Sequence, residues 1–182
     1  IDCVSIINTG AKYNDDVFQF SVGLNGVGTK AVNALSREFK VVSYRDGQYY
    51  EAIFARGAQV KTRKGTAKNE KNGTLIEFVP DEKIFGEYSF NNEFVEARIW
   101  NYAYLNSGLT LRVNGSAIKS QNGLYDLLKD EIGNSGFYDI CHYREKQIEF
   151  AFTHTDNYGE NYFSFVNGQN TSDGGTHLSA YR

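Results

Sequence analysis

The chain has 182 residues, 41% hydrophobic and 23% charged, the make-up of one folded domain, or one domain and part of another, which excludes disordered and low-complexity classes. Nineteen basic against 22 acidic side chains leave a formal charge of −3, so no global basic field draws the chain onto nucleic acid or an anionic membrane, and any such contact has to be local. No apolar run reaches the ~18 residues that span a bilayer, Ile1–Ser5 lacks a signal-peptide layout, and Cys3 and Cys141 are too few for a disulfide framework and fit a reducing compartment.

In chain order, the first organised feature is a glycine cluster, Gly23-Leu24-Asn25-Gly26-Val27-Gly28-Thr29-Lys30. It precedes Val27, Ala31, Ala34 and Leu35, whose i, i+4, i+7, i+8 spacing predicts a short helix with one apolar stripe. Phe39–Tyr44 and Gln48–Ala55 flank Arg45-Asp46-Gly47 and predict a β-hairpin, Asp-Gly supplying the positive φ angles of its turn. A polar loop is expected from about Gly57 to Asn72, then a strand, Gly73–Val79, ended by Pro80-Asp81. Val95, Ile99 and Tyr102 predict a helix within Asn92–Leu105, with Gly108 placed to end it.

Leu109–Val113 reads as a strand closed by Asn114-Gly115. Leu124, Leu127, Leu128 and Ile132 predict a helix capped by Asn122 and stopped by Gly133. After Asn134-Ser135-Gly136 the texture turns strand-like: Phe137–Tyr143, Gln147–Thr155 and Tyr162–Val166, the last ending in Asn167-Gly168. A boundary is therefore expected near residue 134. Helices beside an antiparallel or mixed sheet, an α+β layer fold, precede it, and the opening sheet of a second α+β unit follows.

Glycines ahead of an amphipathic helix let the backbone approach a bound group while unpaired N–H groups face an anion such as phosphate. Neither common nucleotide motif fits. A P-loop places Lys and then Ser/Thr after its last glycine, whereas Thr29 precedes Lys30 here, and the dinucleotide fingerprint G-x-G-x-x-G appears as G-x-x-G-x-G. On spacing alone the cluster is either a phosphate cradle or a tight turn into a helix. Lys12 lies shortly upstream, in Thr9-Gly10-Ala11-Lys12-Tyr13, within reach of the same loop as a cation.

Other features have plain readings. Lys61-Thr62-Arg63-Lys64, with Lys68 and Lys71, reads as a solvated charge run. His142 and His154, on neighbouring strand-like runs, lack a third ligand at metal spacing. The 13 Tyr and 13 Phe read as faces of half-buried strands. Of the sequons at Asn72, Asn114 and Asn170, the two Asn-Gly dipeptides, Asn72-Gly73 and Asn114-Gly115, read as turns. Were all three glycosylated, the alternative would be a secreted aromatic-rich α+β module that binds glycan or peptide.

Gly23–Ser36, GLNGVGTKAVNALS, with upstream Asn8-Thr9-Gly10-Ala11-Lys12-Tyr13, resembles the ATP-lid and phosphate-binding segment of the B subunit of bacterial type IIA DNA topoisomerases, DNA gyrase and topoisomerase IV. Gly73–Asp81 resembles that family's G-T-x-x-x-F-x-P strand, and Tyr104-Leu105-Asn106-Ser107-Gly108-Leu109 its "leucine-asparagine-x-glycine" helix end. Ser164–Arg182, with Asn167, Gly174-Gly175-Thr176-His177 and Arg182, resembles its "asparagine…GGTH…FR" segment. The matches run in order from residue 6 to 182.

The resemblance implies a GHKL-type ATPase sandwich, a mixed or antiparallel sheet with helices on one face, over residues 1–133 as its C-terminal portion. Residues 134–182 would start a ribosomal-protein-S5-like transducer domain. The implied function is that of the energy-transducing, ATP-hydrolysing subunit of a cytoplasmic type II topoisomerase, acting by double-strand passage. Its implied partners are ATP, Mg2+, DNA, an A-type subunit and a second copy of the B-type subunit, with no membrane. By the same resemblance, Gly23, Leu24, Asn25, Gly26, Val27, Gly28 and Thr29 wrap the ATP phosphates, Lys12 approaches them, and Thr74 sits on the sheet under the adenine. Asn25 stands where many members have His, and Phe18 where many have Tyr.

A sequence that starts at Ile1 and contains no Met reads as an excised piece. The family's general base, Mg2+-binding Asn and adenine-reading Asp then fall upstream and its phosphate-sensing Lys downstream. The isolated piece is accordingly expected to be inactive, with no catalytic residue or metal ligand of its own.

Overall fold

A computed structural model describes residues 1–10 and 26–182. They form two compact units, Ile1–Ser89 and Phe90–Arg182.

In the first unit, α1 (Asp2–Ser5) and α2 (Gly28–Ala34) accompany a four-stranded sheet of β1 (Ser36–Arg45), β2 (Gln48–Ala55), β3 (Ala58–Thr66) and β4 (Gly73–Pro80), and α3 (Glu82–Phe85) follows. The spatial order is β3-β2-β1-β4 with every pairing antiparallel. Two tight turns set it up. Asp46 and Gly47, at φ 52° and 75°, close β1 onto β2, and Arg56 and Gly57, at 50° and 80°, close β2 onto β3. Consecutive positive φ values give the turn a twist that matches the flanking strands.

The segment expected as a polar loop is thus largely strand β3, and only the stretch after Thr66 is loop. Its sequence, AQVKTRKGT, has one large apolar residue, so it lacks the alternation by which a half-buried strand is recognised. It pairs because it is an edge strand that needs no buried face, and Lys61, Arg63 and Lys64 along it discourage a further strand from joining.

The register decides which residues share the face of Phe39. Residues paired directly across strands share a face, and the register sets Phe39 opposite Phe54 and Phe78, Val41 opposite Ala52 and Ile76, and Ser43 opposite Thr74. Phe39, Ala52 and Phe54 are buried against Val4 of α1, with Val41 packed alongside. The rings of Phe39 and Phe54 meet edge to face at 6.2 Å. Asp81, 2% exposed, locks the end of β4 to the Arg56 turn: its carboxylate receives the Arg56 guanidinium and, at 3.1 Å, the backbone N–H of Lys83 at the start of α3. The Arg56 hydrogen bond is the main cause of a carboxyl pKa below its ordinary value.

The second unit contains α4 (Asn92–Leu105), hairpin β5 (Leu111–Val113) and β6 (Ser116–Ile118), α5 (Leu124–Ile132), hairpin β7 (Cys141–Arg144) and β8 (Glu149–Phe152), hairpin β9 (Phe165–Val166) and β10 (Gln169–Asn170), and α6 (Thr176–Tyr181). The C-terminal strands are shorter than the apolar runs that announce them. The Asn114-Gly115 and Asn167-Gly168 pairs, all at positive φ, make the turns of the first and third hairpins as expected. Asn114 is therefore a turn residue, while Asn72 accepts the N–H of Asp46 at 2.8 Å.

The α5 helix starts differently from expectation. Its N-cap is Gly123, at φ 63°, and Asn122 does not cap it. The first helical N–H, that of Leu124, is taken by Glu149 Oε1 at 2.9 Å, while Asp126 in the first turn holds the residues that lead into the helix: its carboxylate accepts the backbone N–H groups of Gln121 and Asn122 at 3.0 and 2.9 Å, the Asn122 side-chain amide at 2.9 Å and the Ser120 hydroxyl at 2.8 Å. Burial pushes this carboxyl's pKa up, and the hydrogen bonds outweigh burial and hold it below the ordinary value.

Asp126→Ala is accordingly expected to cost about 0.5–2 kcal/mol, as losing a side chain that holds a helix start does. A depressed folded pKa makes that contribution complete above the ordinary carboxylate range and lost as pH falls through the folded value. Thermal unfolding of wild type and variant from pH 7 into the acid range should show the gap closing at the acid end.

Leu127 of α5 is buried, and Tyr104 of α4 donates its phenol to Asp130 at 2.5 Å, joining the two helices. Burial first, and then the Asp130 carboxylate, push the Tyr104 pKa far above the ordinary phenol range. Among the described residues no helix is long and apolar enough to cross a membrane.

Candidate functional site

The glycine-rich segment is described from Gly26 onward. Lys12, Gly23, Leu24 and Asn25, and Phe18 with them, lie outside the described residues. Gly26 has φ +56°, the left-handed region that a residue with a Cβ enters only under strain. A Cβ there would stand 2.5 Å from the carbonyl oxygen of Thr9, so glycine is required by the close approach as well as by the dihedral angle. Thr9 is itself fixed, its hydroxyl lying 2.8 and 2.5 Å from the carbonyls of Asp2 and Ile6.

Lys30 completes the arrangement. It is 8% exposed, and its Nζ donates to the Thr9 carbonyl at 2.7 Å, on the same side as Gly26. An ammonium has three N–H donors, and beyond the contact to Thr9 two of them have no partner among the described residues. Spacing alone presents Lys30 only as the misplaced lysine of an inverted P-loop and gives it no role. A signal is nevertheless present: a helical turn from Val27 brings residue 30 to the flank of the Val27, Ala31, Ala34 stripe, where a charged side chain is costly unless it has a partner. Because α2 has only seven residues, the positive charge at this point comes from Lys30 more than from a helix dipole.

Val27, Gly28 and Thr29 are exposed at the start of α2, and a Cβ on Gly28 would meet none of the described residues within 4 Å. The described residues therefore do not require glycine at 28, in contrast to 26. Asn33, fully buried on the same helix, donates to the Val4 carbonyl at 2.9 Å and tethers α1, while its Oδ1 has no partner among the described residues. Thr74 is exposed on β4 opposite Ser43, on the sheet face that carries Phe39 and Val41. The face that packs against α1 thus continues to Thr74 along the strands.

The three histidines each have a partner. His142 Nε2 lies 3.0 Å from Glu149 Oε1, His154 Nδ1 meets the Tyr138 phenol, and His177 Nε2 lies 2.6 Å from the Ser164 hydroxyl, which also meets Thr171 at 2.6 Å. His142 and His154 are therefore not a facing pair, and His177 ties α6 to the β9–β10 hairpin. Among the described residues no group of three or more His, Cys, Asp or Glu could hold a metal.

A sequence-family model described as DNA gyrase B matches residues 116–182. The whole chain is similar to the B subunit of DNA topoisomerase 4 from Borreliella burgdorferi, 55% identical over 183 residues, 100% of this chain and 30% of that protein. It is similar to the B subunit of DNA gyrase from Thermotoga maritima, 32% identical over 98% of this chain and 31% of that protein. Among solved structures, the 43K ATPase domain of Thermus thermophilus gyrase B in complex with an aminocoumarin superposes with a TM-score of 0.71 at 29% identity, over 98% of this chain and 53% of that one. The ATPase region of Saccharomyces cerevisiae topoisomerase II gives a TM-score of 0.78 at 24% identity, over 97% and 48%, a likeness of fold alone. The α+β fold is that of the GHKL ATPases. The chain spans about 30% of the length of these curated relatives and about half of the solved ATPase chains.

Proposed function

The chain belongs to the B-subunit family of type II DNA topoisomerases, and from that premise we propose that it is the phosphate-binding and early transducing part of a subunit that drives DNA strand passage with ATP. In this reading Gly23–Thr29 lay backbone N–H groups around the phosphates, Lys12 approaches them, and Thr74 supports the adenine from the sheet. Residues up to 133 are the later ATPase portion and 134–182 open the transducer. The parent acts in the cytoplasm on DNA with an A-type subunit, and two copies of the parent close on each other when ATP binds.

The observation that carries the reading is the Lys30 ammonium. It is nearly buried, spends one donor on Thr9, and adjoins Gly26, whose missing side chain lets the loop backbone lie against the Thr9 carbonyl. A triphosphate fits such a place because its charge is neutralised by the ammonium and its oxygens take N–H donors. Mg2+ would balance the remaining phosphate charge when bound, but the described residues contain no acidic cluster to hold it, and nothing in this reading is routed through it.

The test is calorimetric titration of the intact parent with a non-hydrolysable ATP analogue. Hydrogen bonds to charged groups are worth ~1.5–3 kcal/mol, so Lys30→Ala should weaken binding roughly 10- to 100-fold, with Lys30→Arg recovering part of it. Unchanged affinity in Lys30→Ala would separate this cluster from the nucleotide.

A further inference from the structure

Glu149 holds three segments of the second unit together. It begins β8, and its side chain is 20% exposed. Its Oε1 accepts the backbone N–H of Leu124, the first residue of α5, at 2.9 Å, and lies 3.0 Å from His142 Nε2 on β7. Its Oε2 lies 3.6 Å from Nε of Arg144, the residue paired with it across the hairpin. Arg144 in turn donates to the Ser107 hydroxyl, just past the end of α4, at 2.7 Å.

Gly123 shows how closely these parts approach. A Cβ on it would stand 2.5 Å from Glu149 Oε1 and 2.9 Å from Ser107 Oγ. The hairpin carboxylate thus occupies the position where a side chain of the α5 N-cap would otherwise be.

The covalent path between α5 and the hairpin is short and carries its own hydrogen bonds, the Ser135 N–H and hydroxyl both reaching the Ile132 carbonyl, at 3.1 and 2.5 Å. Residues 133–136 are Gly-Asn-Ser-Gly, with Gly133 at φ 57°, and all four residues of β7 are exposed. In addition to this linker, the polar contacts of Glu149 and Arg144 and the Tyr125–His142 ring contact at 6.0 Å fix the hairpin on the helices. Coupling between parts of a protein is carried by such packed and hydrogen-bonded links between rigid elements.

We infer that Glu149 is a positioning residue: its carboxylate clamps the β7–β8 hairpin to the start of α5 and, through Arg144, to the end of α4, so that movement of the transducer segment is delivered to the ATPase helices. This rests on the assignment of residues 134–182 to the transducer proposed above. The clamp lies in the second compact unit, whereas Gly26, Lys30 and Thr74 lie in the first, so its loss should spare nucleotide binding and reduce the use made of it.

In the intact parent assembled with its A-type subunit, Glu149→Ala and Glu149→Gln are compared with wild type for ATP-analogue affinity, ATP turnover, strand passage per ATP and thermal unfolding. Gln keeps an acceptor for the Leu124 N–H but loses the charge facing Arg144. The expected result is affinity and turnover within about twofold of wild type, with strand passage per ATP down about tenfold or more in Ala and by less in Gln. An unchanged ratio of passage to turnover overturns the clamp, whether both rates stay at wild-type level or fall together with the unfolding temperature. A wild-type assembly that hydrolyses no ATP and passes no strand overturns the underlying functional reading instead, and the inference with it.

Discussion

Phe39→Ala should remove about 3–5 kcal/mol of stability from the chain, a large fraction of the roughly 5–15 kcal/mol that holds a typical domain together. Phe39 is fully buried in β1, meets Phe54 edge to face at 6.2 Å, and shares its cluster with Val4 and Ala52. Truncation leaves a ring-sized void whose walls belong to paired strands. Such walls cannot collapse without breaking the β1–β2 and β1–β4 ladders, so the cavity term stays near its full value. Val60→Ala on β3 supplies the contrast. Val60 is 66% exposed, and its truncation should change stability by no more than ~0.5 kcal/mol. Urea unfolding followed by far-UV circular dichroism measures both, and equal costs would mean that the buried face has been assigned to the wrong side of the sheet.

The strand that carries Phe39 is legible in the sequence because the elements around it announce themselves locally. The Asp46-Gly47 turn and the alternating runs beside it fix a hairpin from neighbouring residues alone, and the two C-terminal Asn-Gly pairs behave likewise. Strand β3 is hidden for the opposite reason. It pairs along its backbone, and its side chains carry no record of that. Asn122 looks like the α5 cap because its neighbours resemble a helix start, while the acceptor of the first helical N–H, that of Leu124, is Glu149, 25 residues away.

The same division runs through the candidate site. Three glycines ahead of an apolar stripe leave a phosphate cradle and a tight turn both open, and the ordered motifs resemble one family, all from local sequence. The role of Lys30 depends on Thr9, 21 residues away, and that of Glu149 on Leu124, 25 residues away. Neither separation follows a helical or strand period, so no pattern reveals it.

Gly26→Val in the intact parent should abolish measurable nucleotide binding, and comparison with Gly28→Ala explains why. At Gly26 a side chain meets two obstacles together. A φ of +56° is an outlier for a β-branched residue, costing roughly 1–2 kcal/mol, and the Cβ would stand 2.5 Å from a backbone oxygen that cannot rotate away. The loop must move, and it carries with it the N–H groups of Val27 and Gly28 and the relation of Lys30 to Thr9. Losing two or more hydrogen bonds to charged phosphate, at ~1.5–3 kcal/mol each, lowers affinity by about 100-fold or more. At Gly28 a methyl group meets none of the described residues within 4 Å, and replacing a helical glycine by alanine stabilises by about 0.5–1 kcal/mol. The described residues therefore give no reason for glycine at 28, and the proposed nucleotide, approaching the backbone there, would supply one. Gly28→Ala should fold at least as well as wild type and still bind the ATP analogue more weakly, read by thermal unfolding without ligand and by calorimetric titration with it. If Gly28→Ala binds as wild type does, the phosphates do not approach position 28; if Gly26→Val also binds normally, residues 23–29 are not the nucleotide site.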